Sequence, residues 1–331
     1  MVGLRILFLS TRVARPSFRY RVQQMLPFFE DAGHHCTVRF FPRNLLMRIL
    51  LYRNLPAFDA VFIQKRLLSL VELKLVRRWS RRLIFDLDDP LVFDRYGQVD
   101  PRRHHRFAAM ARSTDLVVCG NQYLASQATR LGGRATIIPT AVDTERFQPR
   151  HSPRNLPVTT IGWTGSRSSV RYLNRLLPLL VKVSPRIELK IVADTIEGLD
   201  ITRLGSVPCR FVPWTAETEV QETAEFDIGL MPLTDDERAR GKCGCKALQY
   251  MALGIPAVCS PVGVNRDIIR HGHNGYLPTT DEEWITTLRS LVDAPDLRDQ
   301  IGQAGRATVE DRFSLQMIAR TMITTIERAA C

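Results

Sequence analysis

The chain has 331 residues, of which 45% are hydrophobic and 24% charged, a composition typical of a globular protein with a buried core. No apolar run approaches the roughly 18 residues of a membrane-spanning helix, and the short apolar start predicts a buried strand rather than a signal peptide. The net charge of +12 comes from residues 1–150, which hold 25 Lys and Arg against 12 Asp and Glu. A basic half indicates an anionic partner or a solvated arginine-rich surface.

The first half alternates short apolar runs with helix or turn signals. A strand over 5–10 precedes a helix over 17–31, which has apolar residues at helical spacing and Gly33 as a stop. Further strands are predicted over 37–41, 60–64, 83–86, 116–119 and 137–138. This alternation is typical of a parallel sheet with helices on both faces.

A proline-rich stretch over 140–157 predicts a linker, and a second alternating series follows it. Its predicted strands are 159–163, 187–193, 210–212, 227–231 and 257–260, and its helices are 169–183, 216–224, 245–253, 281–292, 295–306 and 314–329. The sequence therefore predicts an α/β protein of two Rossmann-like, doubly wound domains facing a cleft. We expect an acceptor-side domain over 1–150, a donor-binding domain over 151–313, and a last helix over 314–331 that crosses back. The seven cysteines include no Cys-x-x-Cys pair, which favours reduced thiols in a cytoplasmic protein.

The most informative run is 227–260, which predicts a strand, a polar loop, a helix and another strand. The loop over 241–244 leads into a helix N-terminus, where free backbone N–H groups and the helix dipole favour a phosphate. Lys242 and Lys246 add positive charge beside that turn. The alternative is an ordinary strand–helix–strand unit with solvent-facing lysines.

Several ordered motifs resemble the retaining GT-B glycosyltransferases that carry a Glu-x7-Glu signature. Residues 249–258, Gln-Tyr-Met-Ala-Leu-Gly-Ile-Pro-Ala-Val, are similar to the family's Glu-Ala-Met-Ala-x-Gly-x-Pro-Val-Val. The segments 138–147, 161–166, 273–277 and 310–314 resemble its interdomain segment, first donor-domain strand, Asn-Gly turn and approach to the last helix. The resemblance covers roughly residues 137–320.

The resemblance implies roles for matching residues. The donor diphosphate would lie over the loop of Gly165 and Ser166, met by Arg171, whose planar fork suits phosphate, and by Lys246. The signature glutamates fall at Gly241 and Gln249, so neither is present, and Asp235, Asp236 or Glu237 is a possible substitute. Gln249 is expected to meet the ribose. Trp214 is expected to stack on the nucleobase or to be a core residue.

Three carboxylates follow one another closely at the predicted end of the strand over 83–86. Asp86, Asp88 and Asp89 repel one another unless a cation lies near them. One interpretation is a Mn²⁺ or Mg²⁺ site, a second is contact with the acceptor or donor sugar, and a third is a capped, solvated turn. The resemblance implies a metal-independent fold, so we assign Asp88 and Asp89 a catalytic role and predict no metal site and no cofactor.

Arginines stand where the family often has a glycine-rich loop after the first strand. Arg12, Arg15, Arg19 and Arg21 are available, and Arg19 is the one we assign to the diphosphate; the alternative is surface charge. Two further segments, 43–53 and 75–82, mix long apolar side chains with arginines. Each is interpreted as an amphipathic helix packed on its own sheet or resting on an anionic membrane.

The resemblance implies a glycosyltransferase that moves a sugar, with retention, from a nucleoside-diphosphate sugar to a glycan, lipid-linked or other acceptor in cell-surface polysaccharide or glycolipid synthesis. We expect a cytoplasmic enzyme, peripheral on the inner face of the membrane. Gly241 and Gln249 leave open a catalytically silent sugar-nucleotide or glycan-binding relative. A nucleic-acid partner is not expected, because no reading motif accompanies the basic charge.

Overall fold

The computed structural model describes residues 3–11, 16–94, 97–150 and 157–330, so Arg12 and Arg15 lie outside the described residues. The chain divides into two compact units. The first consists of Met1–Ala141, Gly241–Cys243 and Leu315–Cys331, and the second of Val142–Arg240 and Gly244–Ser314. Each unit contains one parallel sheet with helices, which confirms the predicted α/β class.

The first unit is built on a six-stranded parallel sheet in the order β2-β1-β3-β4-β5-β6. Its strands are β1 (Arg5–Ser10), β2 (His35–Phe40), β3 (Ala60–Gln64), β4 (Leu83–Leu87), β5 (Leu116–Cys119) and β6 (Ala135–Ile137). Its helices include α1 (Pro16–Arg21), α2 (Leu26–Asp31), α3 (Leu45–Arg53), α4 (Leu70–Trp79), α5 (Pro101–Ser113), α6 (Gln122–Arg130) and the C-terminal helix (Leu315–Ala330).

Strand alternation gives the first sheet two separate apolar faces. Leu7 and Phe85 belong to a core shared with α3, α4, α5 and α6. Phe8 and Ile84, one residue away, belong to a second core shared with α1, α2 and the C-terminal helix. Successive side chains of a strand point to opposite faces, so near-continuous apolar runs are needed where both faces are covered.

The second unit has a five-stranded parallel sheet in the order β11-β10-β7-β8-β9. Its strands are β7 (Thr159–Gly165), β8 (Ile187–Ala193), β9 (Cys209–Pro213), β10 (Ile228–Met231) and β11 (Ala257–Cys259). Its helices are α7 (Val170–Leu173), α8 (Leu177–Leu180), α9 (Glu219–Ala224), α10 (Glu237–Arg240), α11 (Cys245–Ala252), α12 (Asn265–Ile268), α13 (Asp281–Asp293) and α14 (Pro295–Arg312).

Two helices predicted as continuous are interrupted. The predicted helix over 17–31 becomes α1, a 3-10 turn over Gln23–Met25, and α2 with Pro27 in its first turn. The predicted helix over 169–183 becomes the single turns α7 and α8, and Pro178 lies at the start of α8. Proline lacks the N–H that a continuing helix needs, so each element restarts beside one.

Candidate functional site

Polar side chains gather at the carboxyl ends of the first unit's strands, the edge where parallel α/β sheets bind their ligands. Lys65 follows β3, Asp88 and Asp89 follow β4, and Asn121 follows β5. The short segment Gly241–Cys243 contacts these residues within the same unit. We call Lys65, Asp86, Asp88, Asp89 and Lys242 the carboxylate cluster.

Asp86 is held by a buried arginine. Arg21 donates from Nε to Asp86 Oδ1 at 3.1 Å and from Nη2 to the same oxygen at 2.5 Å, and both side chains are fully buried. Its Nη1 donates to the carbonyl oxygens of Ile138 (2.7 Å) and Pro139 (3.0 Å). Burial opposes the charged form of Arg21, but the adjacent Asp86 carboxylate outweighs burial and raises the pKa of Arg21. Arg21 is therefore a buried anchor of α1 and not part of a solvated arginine run.

Lys65 bridges the other two carboxylates. Its Nζ lies 2.9 Å from Asp88 Oδ1 and also contacts Asp89 Oδ2. Burial alone would lower the pKa of Lys65, but the two carboxylates outweigh burial and raise it. Among the described residues, Lys65 is the one non-glycine residue with left-handed backbone, at φ 51°. Such conformations persist where the surroundings demand them and concentrate at functional sites.

The Gly241–Cys243 segment completes the cluster. Lys242 Nζ lies 3.7 Å from Asp89 Oδ1, and Asn121 Nδ2 donates to the Lys242 carbonyl oxygen at 2.9 Å. A Cβ on Gly241 would lie 2.7 to 2.9 Å from the ring atoms of Pro90. A side chain at position 241, where the resemblance places the first signature glutamate, would therefore require Pro90 to move.

Arg19 contacts its neighbour Tyr20 on α1. Its guanidinium stacks over the Tyr20 ring at 4.9 Å, and Nη2 donates to the Tyr20 hydroxyl at 3.4 Å. The half-buried side chain is thus placed by its neighbour on α1. Its assignment to a diphosphate stays a prediction.

The second unit presents a turn of small polar residues at the end of β7. A Cβ on Gly165 would lie 2.0 Å from the Trp163 ring, so glycine is required where the chain crosses the indole. The Ser166 backbone N–H donates to Ser169 Oγ at 3.1 Å, and the Arg167 N–H donates to Asp194 Oδ1 at 2.7 Å. These bonds hold the loop between β7 and α7 and leave Ser166 exposed.

Arg171 lies on α7 directly after this loop. Its Nη2 donates to the Tyr172 hydroxyl at 2.9 Å and lies 3.9 Å from Asp236 Oδ2. The side chains of Arg171 and Asp236 are each 43% exposed. Arg171 therefore approaches one of the carboxylates that the sequence suggested as a substitute for the signature glutamates, and its side chain, which stacks over the Tyr172 ring at 4.8 Å, is partly exposed.

The helix α11 begins beside the same strand. Gly244 precedes it with φ 69°, a conformation that favours glycine. The Lys246 ammonium lies 5.7 Å above the Trp163 ring. Tyr250 fixes the helix to the sheet, because its hydroxyl accepts from the Thr164 N–H at 2.9 Å and donates to the Leu230 carbonyl oxygen at 3.2 Å.

Gln249 and Trp214 share one acceptor. Gln249 Nε2 donates to Glu219 Oε1 at 3.0 Å, and Trp214 Nε1 donates to the same oxygen at 3.1 Å. Gln249 and Glu219 are buried and Trp214 is half-buried. A carboxylate therefore lies next to position 249, although it comes from α9 and not from α11.

The structure thus brings together Asp88, Asp89 and Lys242 in the first unit, and joins Gln249 to Trp214 through Glu219 in the second. Lys65 and Glu219 were not identified from the sequence. Lys65 could have been found by asking which cation offsets the carboxylates that follow β4, because such a cation must come from a neighbouring strand end. No three His, Cys, Asp or Glu residues within the described ranges are grouped to hold a metal ion. Within those ranges every helix is also too short or too polar to span a bilayer.

Residues 158–294 match the family model described as Glycosyl transferases group 1, which confirms the resemblance seen in the sequence. The chain is 26% identical over 184 residues to the sulfoquinovosyl transferase SQD2 of Arabidopsis thaliana, covering 51% of this chain and 35% of that protein. It is 24% identical over 215 residues to a GDP-mannose-dependent monoacylated alpha-(1-6)-phosphatidylinositol monomannoside mannosyltransferase of Corynebacterium glutamicum, covering 57% and 55%. The chain spans between 22% and 55% of the length of the curated relatives it matches.

The whole chain is similar in fold to the crystal structure of Anabaena Alr3699/HepE in complex with UDP and glucose. The TM-score is 0.77 with 17% identity, over 98% of this chain and all of that one. Sucrose-phosphate synthase from Thermosynechococcus elongatus gives a TM-score of 0.76 with 16% identity, over 98% of each chain. These likenesses confirm the predicted GT-B fold class.

Proposed function

We propose that this chain is a glycosyltransferase that moves a sugar from a nucleoside-diphosphate sugar to a glycan or lipid-linked acceptor, with retention of configuration. The observation that carries the proposal is the family match over residues 158–294, because this segment contains the Gly165 loop, Arg171 and α11. The Anabaena protein was solved with UDP-glucose, and the mannosyltransferase relative is named for GDP-mannose and an acylated phosphatidylinositol mannoside. Both names support a nucleotide-sugar donor, and the second supports a lipid-linked acceptor.

The donor diphosphate is assigned to the second unit. Gly165 and the exposed Ser166 leave the start of the loop without a bulky side chain, and Arg171 and Lys246 supply charge beside it. Lys242 and Arg19 lie in the first unit, and their assignment to a diphosphate stays a prediction. As the sugar leaves, negative charge grows on the diphosphate, and fixed cations stabilise that charge without reorganising. The nucleoside is assigned to Trp214 and Gln249. Glu219 orients both side chains by accepting a hydrogen bond from each.

Asp88 and Asp89 are assigned to the reacting sugar or to the acceptor hydroxyl. Pro90 excludes a side chain at position 241, and Asp89, the residue before Pro90, contacts Lys242. A carboxylate thus lies beside the position where the family carries its first glutamate. Lys65 and Lys242 place two positive charges beside these two carboxylates, so their repulsion is offset without a metal ion.

The second candidate function is a silent relative that binds a sugar nucleotide without turning it over. Two observations favour it: position 241 has no side chain, and Gln249 carries no charge. The two functions differ in turnover and agree in nucleotide binding.

The test is a panel of UDP-, GDP-, ADP- and dTDP-sugars incubated with the full chain and a membrane lipid extract, with release of nucleoside diphosphate as the readout. We expect one donor to be consumed and the anomeric configuration of the product, read by NMR, to match that of the donor. Binding of a nucleotide sugar without any release would favour the silent relative. Neither binding nor release with any donor would contradict both functions.

A further inference from the structure

A cluster of aliphatic side chains lies exposed on the first unit. Of the thirteen large hydrophobic side chains exposed among the described residues, six lie on α3 and at the start of α4, and they are 43% to 70% exposed. We call them the aliphatic patch: Leu45, Leu46, Met47, Leu50, Leu70 and Val71. The two helices are tied together beneath it, because Arg48 Nη1 and the Tyr52 hydroxyl of α3 both donate to Glu72 Oε1 of α4, at 3.0 and 3.1 Å.

The fold does not need these side chains for its core. On α3, the fully buried Tyr52 and the partly buried Leu51 pack against the sheet, while Asn44 caps the helix by accepting the Leu46 N–H at 2.8 Å. On α4, Leu73 and Val76 enter the same core, and Ser69 caps the helix with Glu72. Both helices are thus anchored from their inner sides, and their six exposed apolar side chains lie on two neighbouring helices. Exposed apolar side chains grouped in this way are typical of interaction sites.

The helices of the layer that carries the patch are strongly basic. Helices α3 to α6 form the layer on one face of the sheet and contain ten Lys and Arg residues: Arg48, Arg53, Lys74, Arg77, Arg78, Arg102, Arg103, Arg106, Arg112 and Arg130. Their one acidic residue is Glu72, which is buried and paired with Arg48. The opposite layer is mixed, since α2 ends in Glu30 and Asp31 and the C-terminal helix carries Glu327.

We propose that this helical layer docks on an anionic lipid bilayer, with the aliphatic patch entering the boundary between headgroups and acyl chains. Exposed Arg53, Lys74 and Arg78 lie on the same two helices as the patch and are placed to meet lipid phosphates. A combination of aliphatic side chains and surrounding cations fits a surface that is both apolar and negatively charged. A nucleic acid would satisfy the cations but leave the aliphatic side chains exposed.

The test is co-sedimentation of the full chain with vesicles of phosphatidylcholine containing roughly one third phosphatidylglycerol, against vesicles of phosphatidylcholine alone. The parent is expected to bind the anionic vesicles only. The variant Leu46→Gln/Met47→Gln/Val71→Gln is expected to bind them at least roughly tenfold more weakly, since it removes the inserted side chains. The variant Arg53→Gln/Lys74→Gln/Arg78→Gln is expected to weaken binding and flatten its salt dependence.

Val181→Gln/Ile201→Gln is the matched control, because it alters comparably exposed aliphatic side chains of the second unit. It is expected to bind vesicles like the parent, and thermal unfolding checks that every variant is folded. Equal binding by the parent and the patch variant overturns the proposal, as does parent binding to neutral vesicles alone or to neither kind. Self-association that the patch variant abolishes, without vesicle binding, would assign the patch to a second copy of the chain. Nucleotide-sugar binding is measured in parallel, so failure here is distinct from failure of the sugar-transfer proposal.

Discussion

The charged residues near the strand ends of the two units differ in how far they are paired and buried. In the first unit, Asp86 is closed off by Arg21, and Lys65 bridges Asp88 and Asp89. In the second, Arg171 and Asp236 lie 3.9 Å apart, and both remain 43% exposed. In the first cluster, Arg21 and Lys65 pair with the carboxylates. In the second, Arg171 remains partly exposed to solvent beside the Gly165 loop.

This difference indicates that the first cluster holds the backbone in place, whereas the second is available to bind a ligand. Buried charges that satisfy one another hold a backbone in place, and the left-handed Lys65 shows that the surroundings dictate its conformation. A half-exposed arginine pays only a small desolvation free energy when a phosphate replaces its water. In return, its guanidinium can donate two charge-assisted hydrogen bonds to the phosphate. We therefore expect substitutions in the first cluster to act on stability and turnover, and those in the second to act on nucleotide affinity.

The largest effect is expected for Arg21→Met. The change leaves Asp86 as a buried carboxylate without its partner, and two carbonyl oxygens lose their donor. Breaking a buried pair from one side costs about 3–5 kcal/mol of unfolding free energy, measured by denaturant titration. The double variant Arg21→Met/Asp86→Leu should recover most of the loss, because replacing both partners is close to neutral. A loss below about 1 kcal/mol in the single variant would show that the pair does not organise the first cluster.

Lys65→Met should lower turnover by about a hundredfold if Asp88 and Asp89 act on the sugar or acceptor, since their mutual repulsion would displace them. Lys242→Met is the graded comparison, because Lys242 lies 3.7 Å from Asp89, whereas Lys65 contacts both carboxylates. Steady-state kinetics with the donor from the panel measures both variants. Turnover of Lys65→Met at the parental rate would remove the carboxylate cluster from the catalytic assignment.

Much of the sheet could be predicted from the sequence. The strands over 5–10, 60–64, 116–119 and 187–193 have the predicted bounds, because fully buried parallel strands are short apolar runs ended by polar residues. The predicted continuity of the helix over 169–183 was wrong, because Pro178 lacks the N–H that a continuing helix needs and the segment forms two separate turns despite its apolar spacing.

The partners of the site residues could not be predicted in the same way. Asp88 and Asp89 stand out in the sequence because clustered carboxylates are unusual. Their cation, Lys65, is 23 residues before Asp88 and follows β3, the strand that pairs with β4. Glu219 is likewise remote from Gln249 in the chain and was one acidic residue among several in its segment. Strand order and helix packing decide these pairings, and neither can be deduced from the spacing of residues along a short stretch of sequence.

A smaller effect is expected where Glu219 meets Gln249. Gln249→Glu places two carboxylates in contact, so we expect nucleotide binding to weaken by about tenfold. The swap Glu219→Gln/Gln249→Glu restores one carboxylate and one amide and should return affinity to within roughly threefold of the parent. Isothermal titration with the donor nucleotide measures all three proteins. A double variant no better than Gln249→Glu would show that the carboxylate must come from α9.

The most direct test of the account compares Arg171→Ala with Arg175→Ala in nucleotide-sugar binding. Both arginines follow the Gly165 loop, but Arg171 lies beside Asp236 while Arg175 pairs with Asp281 at 3.1 Å. We predict that Arg171→Ala weakens binding of the donor by about tenfold or more, as expected for a lost charge-assisted contact, whereas Arg175→Ala binds like the parent. Equal affinity of Arg171→Ala and the parent for the donor would contradict the assignment of the diphosphate to this loop.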